Sequence, residues 1–326
     1  MRNLIALILA LLIGAGVYFY TPDLAHDALV ARYGGPPTQP IALADGSTAY
    51  YRDQGNPGGL PVVLLHGAGS NLFTWEGWIP ALTPKYRVIT VDLPGHGLTG
   101  RTPGDDYSVK GMEDFVDRLT AALHIDRYVV GGNSMGGGVA ANLALDRPER
   151  ILGLILVDAA GVTIPGLKQD LPIGFKLARM PVVKYLLLWF TPKTLVAEGL
   201  KKSYGNPSLV TDAQVERYWM LLRHEGNRAA ALKRFGLAQP EPLNSRLGQL
   251  TMPTLVLWGE ADRLLPLDMG KLYAATIPGA QAVYFPGAGH VPQEEIAEQS
   301  GAAAAAFLDR LGAPADNAPE LTTHGN

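Results

Sequence analysis

Tyr128-Val129-Val130-Gly131-Gly132-Asn133-Ser134-Met135-Gly136-Gly137 is the stretch of this 326-residue chain from which its architecture can be read. An apolar run, Tyr128 to Gly131, leads into the five residues Gly132–Gly136, and a helix-forming stretch continues from Gly137 to Asp146. Strand, tight turn, helix is the context in which a serine becomes a nucleophile. The turn holds the serine at backbone angles that L residues avoid and lifts its hydroxyl above the end of the strand. Side chains two places either side of Ser134 would meet the neighbouring strand and helix, which accounts for Gly132 and Gly136. The first turn of the following helix aims backbone N–H groups at any developing anion.

A serine hydroxyl is a poor nucleophile near neutral pH; it needs a base, and the base needs a carboxylate to orient it. Downstream, Pro253-Thr254-Leu255-Val256-Leu257-Trp258-Gly259-Glu260-Ala261-Asp262 reads as a buried strand ending in a loop that carries an acid. Ala282-Val283-Tyr284-Phe285-Pro286-Gly287-Ala288-Gly289-His290 reads as a further strand ending in a loop that carries a histidine. Both candidates fall at the C-terminal ends of strands, where open α/β sheets place their sites. Of seven histidines, only His290 follows the last expected strand with a glycine before it. Asp158, which ends the run Ile151–Val157, is the rival acid and reads as a loop-capping residue. The catalytic expectation is therefore Ser134, Asp262 and His290. An oxyanion hole is expected from the N–H of Ala68, in the glycine-rich loop His66-Gly67-Ala68-Gly69-Ser70, and from that of Met135.

Leu65-His66-Gly67, Asp92-Leu93-Pro94-Gly95-His96-Gly97, Gly132–Gly137, Leu257–Asp262 and Gly289-His290 together resemble the α/β-hydrolase superfamily, over about residues 41–311. The chain order Ser, Asp, His is that of the same superfamily. Thr74-Trp75-Glu76-Gly77-Trp78 and Leu98-Thr99-Gly100 are similar to bacterial lipases and esterases of lipolytic family V, and membrane-anchored monoacylglycerol lipases share much of this pattern. The resemblance implies an α/β-hydrolase fold, a mostly parallel sheet flanked by helices with a helical cap inserted between strands. It implies hydrolysis of carboxylic esters, lipid-like esters or acylglycerols among them, without cofactor or metal. Hydrolases of carbon–carbon bonds in meta-cleavage products also favour Gly-Asn-Ser-Met-Gly-Gly, and are the alternative. They usually carry Gly-Pro-Gly after the His-Gly and Trp after the catalytic His, where this chain has Gly69-Ser70-Asn71 and Val291.

Composition sets outer limits. A formal net charge of −3 leaves no basic surface for nucleic acid, and the absence of cysteine excludes thiol catalysis, thiolate metal sites and disulfides. Leu4 to Tyr20 carries no charge. As a helix these residues would span roughly 25 Å, at the lower limit for a bilayer core of ~30 Å. Residues 1–20 are thus expected to be a membrane anchor, with the catalytic domain on the non-cytoplasmic side. The alternative is a cleaved signal of a secreted protein.

A linker, residues 21–38, is expected to hold a helix capped by Thr21-Pro22 and running to about Arg32. The hydrolase core would be residues 39–160 and 247–311. The strand rhythm fails over residues 161–246, which are expected to form the cap from helix-like stretches at Phe175–Phe190 and Asp212–Phe235. Residues 312–326 read as a disordered tail. Trp75, Leu186, Trp189 and Val291 are the expected substrate contacts. The expected partner is a small-molecule or lipid ester, and the sequence leaves the oligomeric state open.

Overall fold

The apolar runs become strands, and their alternation dictates the two faces of a single sheet. A computed structural model describes residues 20–238 and 240–312, together with Asn3, Gly14, Gly16 and Phe19. A first helix, α1 (His26–Tyr33), precedes β1 (Thr38–Ala42), β2 (Thr48–Gly55), β3 (Pro61–Leu65) and β4 (Arg87–Val91). Then come α2 (Val109–Ala122), β5 (Tyr128–Asn133), α3 (Met135–Asp146) and β6 (Ile151–Val157). Five helices follow without a strand: α4 (Ile173–Arg179), α5 (Val183–Leu186), α6 (Lys193–Ser203), α7 (Asp212–Leu222) and α8 (Asn227–Gly236). The chain closes with β7 (Thr254–Gly259), α9 (Leu267–Thr276), β8 (Gln281–Phe285), α10 (Pro292–Glu295) and α11 (Ala297–Gly312).

The eight strands form one sheet in the order β1-β2-β4-β3-β5-β6-β7-β8. β1 and β2 pair antiparallel, as does β2 with β4; every pairing from β4 to β8 is parallel. Side chains alternate across a strand, so a strand buried on both faces must be apolar throughout. Val63, Leu65, Val130, Leu154, Leu156 and Val256 join Phe115, Leu119, Val139 and Leu143 of α2 and α3 in one core. Their neighbours Val62, Leu64, Val129, Ile155, Leu255 and Leu257 join Trp75, Trp78, Phe307 and Leu308 on the opposite face. Full burial of each such side chain contributes about 1.5–3 kcal/mol.

The helical expectations needed revision where prolines and pairing intervene. Thr21–Ala25 is not helical: Leu24 accepts from Glu225 N–H and donates to Arg223 O, so this backbone is spent on pairing with the α7–α8 turn. The helix starts only at His26. Phe175–Phe190 is broken at Met180-Pro181, since the residue before a proline is driven to extended angles. Asp212–Phe235 is broken at Gly226, which sits at φ 86°. Lys193–Ser203 is a helix that the sequence reading did not anticipate.

The membrane-anchored localisation is corrected. Among the described residues no helix is long and apolar enough to cross a membrane. The segment 1–20 that carried the expectation lies almost wholly outside the described residues, as do the tail residues 313–326.

Candidate active site

Ser134 sits between β5 and α3 at φ 52° and ψ −119°, angles that an L residue adopts only under constraint. The constraint is visible in the hydrogen bonds. Its N–H is shared between the carbonyls of Val157 (3.1 Å) and Asp158 (3.2 Å), and its carbonyl accepts from Gly138 (3.1 Å) and Ala160 (2.9 Å). The glycines two places away are obligatory: a Cβ on Gly132 would lie 2.2 Å from Gly136 O, and one on Gly136 would lie 2.2 Å from Leu65 O. The turn is therefore locked from both sides while the Ser134 side chain faces a cavity.

Asp262 and His290 meet at the far ends of β7 and β8. Asp262 Oδ1 accepts from the N–H groups of Leu264 (2.7 Å) and Leu265 (3.1 Å). This leaves Oδ2 for His290 Nδ1, at 2.7 Å. With Nδ1 occupied, Nε2 is the free nitrogen of the imidazole, and both His290 and Ser134 line the same cavity. Among the described residues the Ser134 hydroxyl makes no hydrogen bond.

Two buried residues support this arrangement. Asn133 Nδ2 donates to His290 O (2.9 Å) and Val157 O (3.2 Å), tying the serine turn to the histidine loop. Asp158 Oδ1 accepts from Gly259 N–H (3.0 Å), and its carboxyl lies beside Asp262 and His290, ligand-type atoms of all three falling within 4.8 Å of one another. Burial and the adjacent Asp262 push Asp158 well above the carboxylate range. These three are the one cluster among the described residues with the composition of a metal site, but His290 Nδ1 and Asp262 Oδ2 are already spent on each other.

The loop after β3 is organised by His66. Its Nδ1 donates to Gly67 O (2.8 Å) and its Nε2 accepts from Leu93 N–H (3.0 Å). Burial pushes His66 down to about 4, so it is a neutral, structural imidazole. Ala68, in this loop, lines the cavity. Among the described residues neither its N–H nor that of Met135 is donated to a protein acceptor.

The cavity, about 190 Å³, is walled by the loops of the sheet below and by α4, α6, α7 and α8 above. Of the expected substrate contacts, Val291 lines it. Three others do not. Trp75 is wholly buried, packed on Trp78 with ring centroids 4.9 Å apart, because the 3₁₀ turn Leu72–Trp78 rolls it toward the sheet. Leu186 and Trp189 are each 54% exposed, on the outer side of α5 and just after it. Phe175, Leu195, Leu200 and Phe235 supply the apolar wall in their place. The sequence reading also missed Tyr218 and Ser70, whose hydroxyls meet at 2.9 Å in the cavity wall, and Glu294, which accepts from Tyr218 and, at 2.9 Å, from Tyr204. Nothing in a single α7 tyrosine or in a glutamate four places after His290 marks them as partners.

The α/β hydrolase fold family model matches residues 61–296. The chain belongs to the α/β-hydrolase family. It is 33% identical, over 74% of its own length and 84% of the other, to the 2-hydroxy-6-oxo-6-phenylhexa-2,4-dienoate hydrolase of Burkholderia cepacia. Among solved structures it is similar to a bacterial membrane phospholipase A, with a TM-score of 0.71, 26% identity, and 95% of this chain and 98% of that one covered. A thermophilic esterase from Thermogutta terrifontis gives a TM-score of 0.68 at 27% identity, covering 85% and 99%. The fold is thus that of a hydrolase whose relatives include both carbon–carbon hydrolases and esterases, and the finer likeness to lipolytic family V is not what these relatives single out.

Proposed function

We propose that this hydrolase cleaves carboxylic esters through an acyl-enzyme on Ser134. The observation that carries the reading is the 2.7 Å contact of His290 Nδ1 with Asp262, which leaves Nε2 of a buried imidazole in the same cavity as a strained serine. His290 takes the Ser134 proton as the hydroxyl attacks the ester carbonyl, then gives it to the departing alcohol. Asp262 fixes the tautomer. The N–H groups of Ala68 and Met135 receive the negative charge of the tetrahedral intermediate; one such donor is worth ~10²–10³ in turnover. A water activated by His290 then releases the acid. Residues 161–246 act as a cap over the site, and their apolar side chains suit an acyl chain.

Val291 beside His290, where the carbon–carbon hydrolases usually have tryptophan, favours the ester reading. The dienoate hydrolase at 33% identity favours the second reading, cleavage of a carbon–carbon bond in a meta-cleavage product. The test is a direct comparison of a p-nitrophenyl acyl ester with a dienoate meta-cleavage product. The ester is expected to have the higher kcat/KM, by at least ~10-fold, equivalent to about 1.4 kcal/mol in the barrier. Faster turnover of the dienoate contradicts the proposal.

A further inference from the structure

Two arginines of α8 line the cavity, and they stand in different circumstances. Arg228 is fully engaged: Nε and Nη2 donate to Asp23 Oδ1 at 2.9 and 2.7 Å. Arg234 is not. Among the described residues its guanidinium makes no hydrogen bond and no ion pair, although its Nε is sealed from solvent. It lies over the Phe235 ring, 4.3 Å from the centroid, and the charged side chain that acts on it is another cation, Arg179, 5.8 Å from the same ring. Burial and Arg179 bring Arg234 down to about 10, so it remains a cation at neutral pH. Its field also helps to push His96 well below its ordinary range, after burial and His66.

Arg234 is half-buried, with Nε shut off from solvent; a charge so placed without a counter-ion is unfavourable, and proteins normally pair it or neutralise it. An aromatic face compensates in part. The five N–H donors of a guanidinium remain, in a planar fork that matches a carboxylate. The wall around this fork supplies no anion, and the space it faces is the one that contains Ser134 and His290.

We infer that Arg234 is the anion-recognition residue of this cavity, and that the preferred substrate is an ester whose acyl part is an apolar chain ending in a carboxylate. The acyl carbonyl goes to Ser134, the apolar chain runs along Phe175 and Phe235, and the terminal carboxylate pairs with Arg234. This substrate class rests on the ester-hydrolase reading above; the existence of the anion site does not.

The experiment pairs 4-nitrophenyl half-esters of linear C6–C10 diacids with the same compounds capped as methyl esters at the far end. The readout is the ratio of kcat/KM, acid over capped, which cancels any general loss of activity in a variant. The wild-type ratio is expected to exceed ~10 at one or more chain lengths, to fall to about 1 in Arg234→Met, and to lie between in Arg234→Lys, which keeps charge but loses the fork. A second measurement does not need turnover: calorimetric binding of monomethyl suberate against dimethyl suberate to the full chain carrying Ser134→Ala, with and without Arg234→Met.

Ester turnover with no preference for the acid, or with a preference that both Arg234 variants retain, overturns the anion site and leaves the ester reading standing. Binding of the monoanion that depends on Arg234, with no ester turnover by the wild type, supports the anion site and removes the ester reading. Neither turnover nor Arg234-dependent binding removes both.

Discussion

Asn133, the residue before the candidate nucleophile, donates from Nδ2 to the carbonyl oxygen of His290 at 2.9 Å, across 157 residues of chain. The same amide group also reaches Val157 O, so one buried side chain spans the ends of three neighbouring structural pieces: the serine turn, β6 and the histidine loop. Its position within the motif gave no hint of this work, because any small polar residue there satisfies the pattern.

The latch has a measurable consequence. Asn133→Ala leaves the buried His290 carbonyl without a donor and Val157 O with the Ser134 N–H alone, a loss of about 1–3 kcal/mol in unfolding free energy. Asn133→Asp sets a carboxylate against the same carbonyls and is expected to be worse than alanine both in stability and in kcat. Urea unfolding and ester kinetics on the two variants check this; an aspartate variant as stable and active as the wild type would contradict it.

Asp158 supports Asp262 as a neutral acid. Held above the carboxylate range by burial and by Asp262, it accepts from Gly259 N–H through Oδ1, while its buried Oδ2 has no hydrogen-bond partner among the described residues. Asparagine keeps the acceptor for Gly259 N–H, places no charge beside Asp262 and tolerates the φ of 42° found here. Asp158→Asn is therefore expected to stay within ~3-fold of wild-type kcat, a change of less than about 1 kcal/mol. Asp158→Leu, which strands the Gly259 N–H, is expected to lose both melting temperature and activity. Equal damage in the two variants, seen in melting curves and kcat, would refute the neutral-acid role.

Stability should fall with rising pH through Glu113. This side chain is buried, its Oε2 has no hydrogen-bond partner, and burial, then Asp146, pushes its carboxyl up from 4.5 to about 7. The folded state thus holds a proton that the unfolded chain releases. The stabilisation is complete below about pH 4.5 and is lost as pH climbs to about 7. Glu113→Gln removes this dependence and is expected to gain about 1–3 kcal/mol relative to wild type at pH 8 over pH 5, read by urea unfolding at the two values. An unchanged difference between the two pH values would show that Glu113 is not the titrating group.

How far the sequence could be read follows from where each signal is local. The strands announce themselves because a sheet covered on both faces needs unbroken apolar runs, as in Ile151–Val157 and Thr254–Gly259. The serine turn is legible because Gly132 and Gly136 answer a steric demand made by near neighbours. Asp262 and His290 are legible because strand ends are where loops converge. The cavity wall is not local: Trp75 follows the Ala68 loop closely, yet a 3₁₀ turn carries it into the core. Leu186 and Trp189 belong to an apolar run that looks like a lining, but Pro181 breaks the helix and leaves them facing outward. Arg234, next to Lys233 on a helix, reads as part of a solvated face, and only the docking of α8 over the sheet turns it inward.

The proposed chemistry depends on Ser134, His290 and Asp262 acting as one unit, and labelling with a fluorophosphonate probes that unit without assuming any substrate. Intact folded protein is expected to take up one equivalent on Ser134, located by peptide mass spectrometry, with His290→Ala slowing the labelling by at least ~10³-fold. Labelling that misses Ser134, or that proceeds at the wild-type rate in His290→Ala, would contradict the account.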